Sequence, residues 1–146
     1  MNDEQKKFYD TAVSFLGKDA SPSDLADDSY GCAESWNGIY KATFGEFFMK
    51  TNRLSTYWLL DALSKSICFV EVSSPQTGDT IIAASGTGGT PEVPRGHVGI
   101  CGENGIVMSS DSYNHGLWEE NYSVDSFLRR YRDRGKFPVK FYRLNG

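Results

Sequence analysis

Two hydrophobic rhythms divide the chain. In the first 66 residues apolar side chains recur at three- and four-residue intervals, the period of a helix with one buried face. Phe8, Ala12, Phe15 and Leu16 align on one side of a helix over residues 3–16, with Gly17 placed to end it. Ala33, Trp36, Ile39 and Tyr40 define a second helix that runs to about Thr43 and stops near Gly45. Ser55 is placed to cap a third, TYWLLDALSKS, which turns Trp58, Leu59, Ala62 and Leu63 inward. From Ile67 the rhythm changes to short β-rich runs separated by turn residues: ICFVEV, TIIAA, HVGIC, IVMSS and PVKFYRL. GENG joins HVGIC to IVMSS as a tight hairpin, because Asn and Gly tolerate the positive φ that such turns require. One more helix, Val124 to Arg132 with Ser123 as cap, precedes the last strand. Helices followed by mostly sequential strands predict an α+β fold, with N-terminal helices packed on an antiparallel sheet of about five strands.

At 146 residues and 39% hydrophobic content the chain can bury one core. The expected organisation is a single catalytic domain over 1–146, divided into an N-terminal helix and connector (1–27) and a core (28–144). The connector SPSDLADDSYG has room for one helical turn after Pro22. A net charge of −4 argues against nucleic acid as a partner, since a basic patch is the expected footprint of a phosphate binder. The basic run RRYRDRGK reads as a solvated helix face or a weak contact to an anionic polymer. Three cysteines without CxxC spacing give neither a disulfide framework nor a zinc site, so no metal or cofactor is expected. No stretch approaches the roughly 20 apolar residues of a membrane span, and the acidic N-terminus is not a secretory signal. The Gly-rich segment SGTGGTPEVPRG lacks the wording of a phosphate-binding loop and reads as a loop beside a site.

The candidate chemistry lies in Cys32 and His97. Cys32 falls at the first turn of its helix, where unpaired backbone N–H groups and the positive end of the helix dipole favour a thiolate and can hold an oxyanion. Ala33 follows it in that turn. His97 begins a paired strand, and an imidazole held rigidly there is a suitable general base near neutral pH. Together they form a nucleophile–base pair. Cys68 and Cys101, in apolar strands, read as core thiols. His115, in a polar segment, reads as an exposed loop residue. Trp36, Tyr113 and Trp118 read as core, whereas Tyr30 is the best placed aromatic for a substrate or oxyanion contact. Glu34 and Asn37 lie one turn along the Cys32 helix.

The blocks YGCAESWN, PQTGDTIIA and GHVGICGENG, in that order, resemble the papain-like NlpC/P60 and CHAP cell-wall hydrolases, and more closely the small phage-encoded ones. The resemblance covers about residues 28 to 144. It implies a thiol peptidase or amidase in which Cys32 attacks an amide bond of bacterial peptidoglycan and His97 is the base. It also implies a third catalytic residue on the strand after His97, within MSSDS. There Asp111 would orient an imidazolium strongly and Ser109 or Ser110 weakly, with hairpin register choosing among them. The local wording Gly31-Cys32-Ala33-Glu34 departs from the family's usual motif.

The substrate implied is a peptidoglycan stem peptide, cut by a monomer that a phage particle or secretion apparatus carries from the cytoplasm to the wall. Two other readings share these residues. One is a catalytically silent wall-binding or virion-structural module, and the other is a papain-like acyltransferase.

Overall fold

The computed structural model describes residues 1–22, 31–85 and 95–146. In chain order the elements are α1 (Asp3–Ser14), α2 (Gly31–Phe44), α3 (Thr56–Lys65), β1 (Phe69–Val72), β2 (Thr80–Ala83), β3 (His97–Cys101), β4 (Ile106–Asp111), β5 (Leu117–Ser123), α4 (Val124–Phe127), and β6 (Val139–Leu144). Between α4 and β6 the helix continues as a π-helix over Leu128–Arg134. Among the described residues all strands belong to one antiparallel sheet in the order β1-β6-β2-β3-β4-β5, so β6 inserts between β1 and β2.

Strand alternation splits the interior into two layers. Ile82, Val98, Ile100, Met108 and Trp118 face the N-terminal helices and pack with Phe8, Trp36, Ile39, Leu59 and Leu63. Their neighbours Ile81, Ala83, Cys101 and Val107 face the other way, against Phe127. The helix periodicity is obeyed where it is strongest: Phe8, Ala12, Ala33, Trp36, Ile39, Leu59 and Leu63 are buried. Asn2 caps α1 and Ser55 caps α3, each side-chain oxygen accepting the N–H three residues on. The hairpin turn is also as expected, with Asn104 and Gly105 at φ of 57° and 73°.

One buried carboxylate ties the chain ends to the sheet. Asp79, preceding β2, accepts hydrogen bonds from Arg143 Nε at 2.9 Å and Nη2 at 2.7 Å, from Gln5 Nε2 at 2.8 Å, and from the Gln76 N–H at 2.7 Å. This explains the TGD wording: Gly78 takes a positive φ of 91° and delivers Asp79 inward, and its N–H donates to the Cys101 carbonyl.

Three sequence expectations need correction. Trp58 is 37% exposed rather than turned inward, because α3 presents Leu59 and Leu63 to the core and leaves Tyr57 and Trp58 edge-to-face outside. Cys68 is exposed, not a core thiol, since β1 starts one residue later and neighbouring Ile67 is also exposed. The sixth strand, β5, carries Glu119, Glu120 and Asn121, and its period-2 alternation is broken by a bulge opposite Val107 and Met108. Charge on an outer strand is normal, and it masks the strand signal. The helical turn proposed after Pro22 and most of SGTGGTPEVPRG lie outside the described residues.

Candidate active site

Cys32 is the second residue of α2, half-buried at the edge of the helix-side core. Its neighbours secure that first turn. Ala33 is fully buried, and the Glu34 carboxylate, also buried, pairs with Arg53 Nε at 3.3 Å. The Asn37 side chain donates to the Ala33 carbonyl and accepts from the Met49 N–H. Glu34 and Asn37 therefore brace the helix. Trp36 and Trp118 are core residues, whereas Tyr113 is 88% exposed in the β4–β5 turn, where His115 is also exposed. Tyr30 lies outside the described residues.

His97 opens β3 on the opposite face of the sheet. Its ring stacks on Tyr131 with centroids 5.4 Å apart and planes 12° from parallel, and it meets Tyr122 and Phe127 edge-on or tilted. Cys32 and His97 nevertheless open into one cavity of about 220 Å³ at the strand ends, where the two layers meet. Arg95, Asp111, Tyr113, Asn121, Arg130 and Tyr131 also line it.

The register answers the parity question left open for β4. Cys101 pairs with Val107 and Ile100 with Met108, which puts Ser109 and Asp111 on the His97 face and Ser110 on the other. Ser109, fully buried, has its Oγ 2.9 Å from His97 Nε2. Ser110 instead donates to the Gly116 carbonyl. Asp111 accepts from the Tyr113 N–H at 2.9 Å and acts on His97 through its charge.

Burial pushes the His97 imidazole down from 6.5 to about 4; Arg130 adds to the depression and Asp111 opposes it. At neutral pH the imidazole is therefore neutral and its lone pair is unprotonated, although burial makes it a weaker base than free histidine. Burial raises the neighbouring Tyr131 phenol, which stays neutral, and the Cys101 thiol, pushed up to about 12, is inert. The acid limb of any His97-dependent reaction is therefore expected near pH 4. Arg130→Met should move it up by removing a positive charge, and Asp111→Asn should move it down. Stability follows the same titration. Above pH 6.5 the imidazole is neutral in both states; between 6.5 and 4 only the unfolded chain takes up the proton, so stability falls as pH falls and levels off below. The loss is at most about 3 kcal/mol. Urea unfolding at pH 7 and pH 4.5 should show it for the wild type and not for His97→Gln.

Arg130, Tyr131 and Asn121 were not legible as site residues. The RRYRDRGK run is a solvated face for most of its length, yet Tyr131 turns inward and Arg130 borders the cavity. The available signal was the four-residue spacing of Phe127 and Tyr131, which places both rings on one helical face. Among the described residues no cluster of His, Cys, Asp and Glu could hold a metal ion, and no helix is long and apolar enough to cross a membrane.

No family profile matches the sequence, and no curated protein matches it either. The structure is similar to a chain of the crystal structure of the type VI native effector–immunity complex Tae3–Tai3 from Ralstonia pickettii. The likeness has a TM-score of 0.58 at 19% identity and covers 97% of this chain and 98% of that one. What the two share is the fold, helices packed on a six-stranded antiparallel sheet.

Proposed function

We propose that this chain is a cysteine hydrolase that cleaves an amide bond of bacterial peptidoglycan, as a stem-peptide endopeptidase or amidase. The observation that carries the reading is the shared cavity: a helix-start cysteine and a strand-start histidine open into the same space. In the reaction His97 takes the Cys32 proton and the sulfur attacks the amide carbonyl. The oxyanion faces the first turn of α2, at the positive end of the helix dipole. His97 then protonates the leaving amine, and water releases the acyl group from sulfur. Arg95 and Arg130 against Asp111 give the described lining an excess of positive charge, which suits a peptide bearing free carboxylates. Likeness to an effector–immunity complex favours a secretion apparatus over a phage particle as the carrier, and a dedicated inhibitor protein as a partner.

Mass spectrometry of muropeptides after digestion of purified walls tests the reading. Products cut at one amide bond by the wild type and not by Cys32→Ala support it; intact muropeptides from both would sink it. A silent wall-binding module is the second reading, and thiol reactivity separates the two. Cys68, exposed on the surface, serves as the internal reference. An activated Cys32 should react with iodoacetamide faster than Cys68 at pH 7, and His97→Gln should remove the difference. Slower reaction of Cys32 in the wild type would favour the silent module. Product analysis with an added amine distinguishes acyl transfer from hydrolysis.

A further inference from the structure

We propose that Asn121 is a positioning residue that acts through Ser109 to fix the tautomer of His97, so that the ring's Nδ1 is left as the basic nitrogen. The inference rests on reading His97 as a general base, and its geometry is independent of the substrate.

The β4–β5 bulge puts Asn121 in place. Val107 pairs with Tyr122 and Met108 with Glu120, so Asn121 is the extra residue between two regular pairs. In an unbroken strand neighbouring residues point to opposite faces. Here the bulge turns both Asn121 and Tyr122 toward the His97 face: Tyr122 meets the imidazole ring at 5.6 Å, and Asn121 reaches Ser109.

Hydrogen counting then sets the ring. The Ser109 hydroxyl carries one proton and donates it to Asn121 Oδ1 at 2.6 Å. Toward His97 Nε2, 2.9 Å away, the same oxygen can only accept. Nε2 therefore bears the hydrogen and Nδ1 the lone pair. When the thiol gives up its proton, the S–H bond breaks and an N–H bond forms at Nδ1. The imidazolium retains its Nε2–H, which Ser109 still accepts. No proton moves along the relay. Reversing the Asn121 amide would reverse the chain: its NH₂ would donate to Ser109, Ser109 would donate to Nε2, and Nδ1 would carry the hydrogen and be unable to act as base.

The ¹⁵N chemical shifts of the His97 ring in the full chain at pH 7 test this without substrate, since the imidazole is neutral there. The wild type is expected to show the Nε2–H form. Asn121→Asp keeps an acceptor oxygen and should retain that form. Asn121→Leu and Ser109→Ala should each mix the tautomers. A wild-type ring with its hydrogen on Nδ1, or an unchanged Nε2–H signal in both Asn121→Leu and Ser109→Ala, would overturn the relay. In activity assays Asn121→Leu should lower kcat roughly tenfold to a hundredfold at little change in KM, a part of the about 10² to 10⁴ that a positioned base contributes. The Ser109→Ala/Asn121→Leu double variant should lose no more than Ser109→Ala alone; additive losses would show that Asn121 works by another route. A wall that stays uncut leaves the NMR result to stand or fall by itself.

Discussion

Cys32→Ala is expected to end peptidoglycan cleavage, lowering the rate by on the order of 10⁴-fold or more, while the urea midpoint changes little. Cys32 is only half-buried at the edge of the core, so losing its sulfur leaves no large void. His97→Gln should cost about as much in rate, because a nucleophile and its base act as a unit and either loss disables both. The double variant should be no slower than the singles. Single-turnover release of muropeptides from purified wall, followed with far-UV circular dichroism of the same samples, checks both statements. Substantial cleavage by folded Cys32→Ala would move the nucleophile elsewhere.

Asp79→Ala is expected to have the largest effect on stability, with the site chemistry untouched until the fold is lost. The carboxylate is fully buried and accepts four hydrogen bonds, two of them from Arg143. Removing one partner of such a pair leaves the others without an acceptor, and the usual cost is about 3 to 5 kcal/mol. The lower end is expected here, because the Arg143 side chain keeps 25% of its surface in water. Asp79→Asn retains an oxygen for the Gln76 N–H but gives up the charge and should fall between wild type and alanine. Urea denaturation at constant slope measures both. Equal midpoints for Asp79→Ala and wild type would mean that the ties among α1, β2 and β6 contribute nothing.

What the sequence revealed followed from how local the physics is. Helix faces such as Ala33, Trp36 and Ile39, the Ser55 cap and the Asn104–Gly105 turn are decided by residues a few positions apart, and pattern reading finds them. The placement of Cys32 at a helix start and of His97 at a strand start was also readable, since both are local features. Which β4 residue meets His97 was not, because Ser109, Ser110 and Asp111 differ by single steps of register, and register depends on the partner strand. Asn121 was further out of reach. Its placement needs a bulge, and a bulge erases the alternation by which a strand is recognised. Arg130 and Tyr131 share a charged run whose exposed majority hides the one ring that turns inward.

The division of the interior into two layers makes the site a coincidence detector. Cys32 is held by the packing of α2 on one side of the sheet, while the ring of His97 is desolvated by Tyr122, Phe127 and Tyr131 on the other. If the segment from α4 to the π-helix lifts away, His97 is hydrated and its affinity for protons returns toward that of free histidine, so below pH 6.5 it would be mostly charged and unable to accept the thiol proton. If the N-terminal helices detach, the cysteine leaves the cavity. Under the proposed mechanism, a chain in which only one layer had docked would hold Cys32 and His97 as separate, unreactive groups.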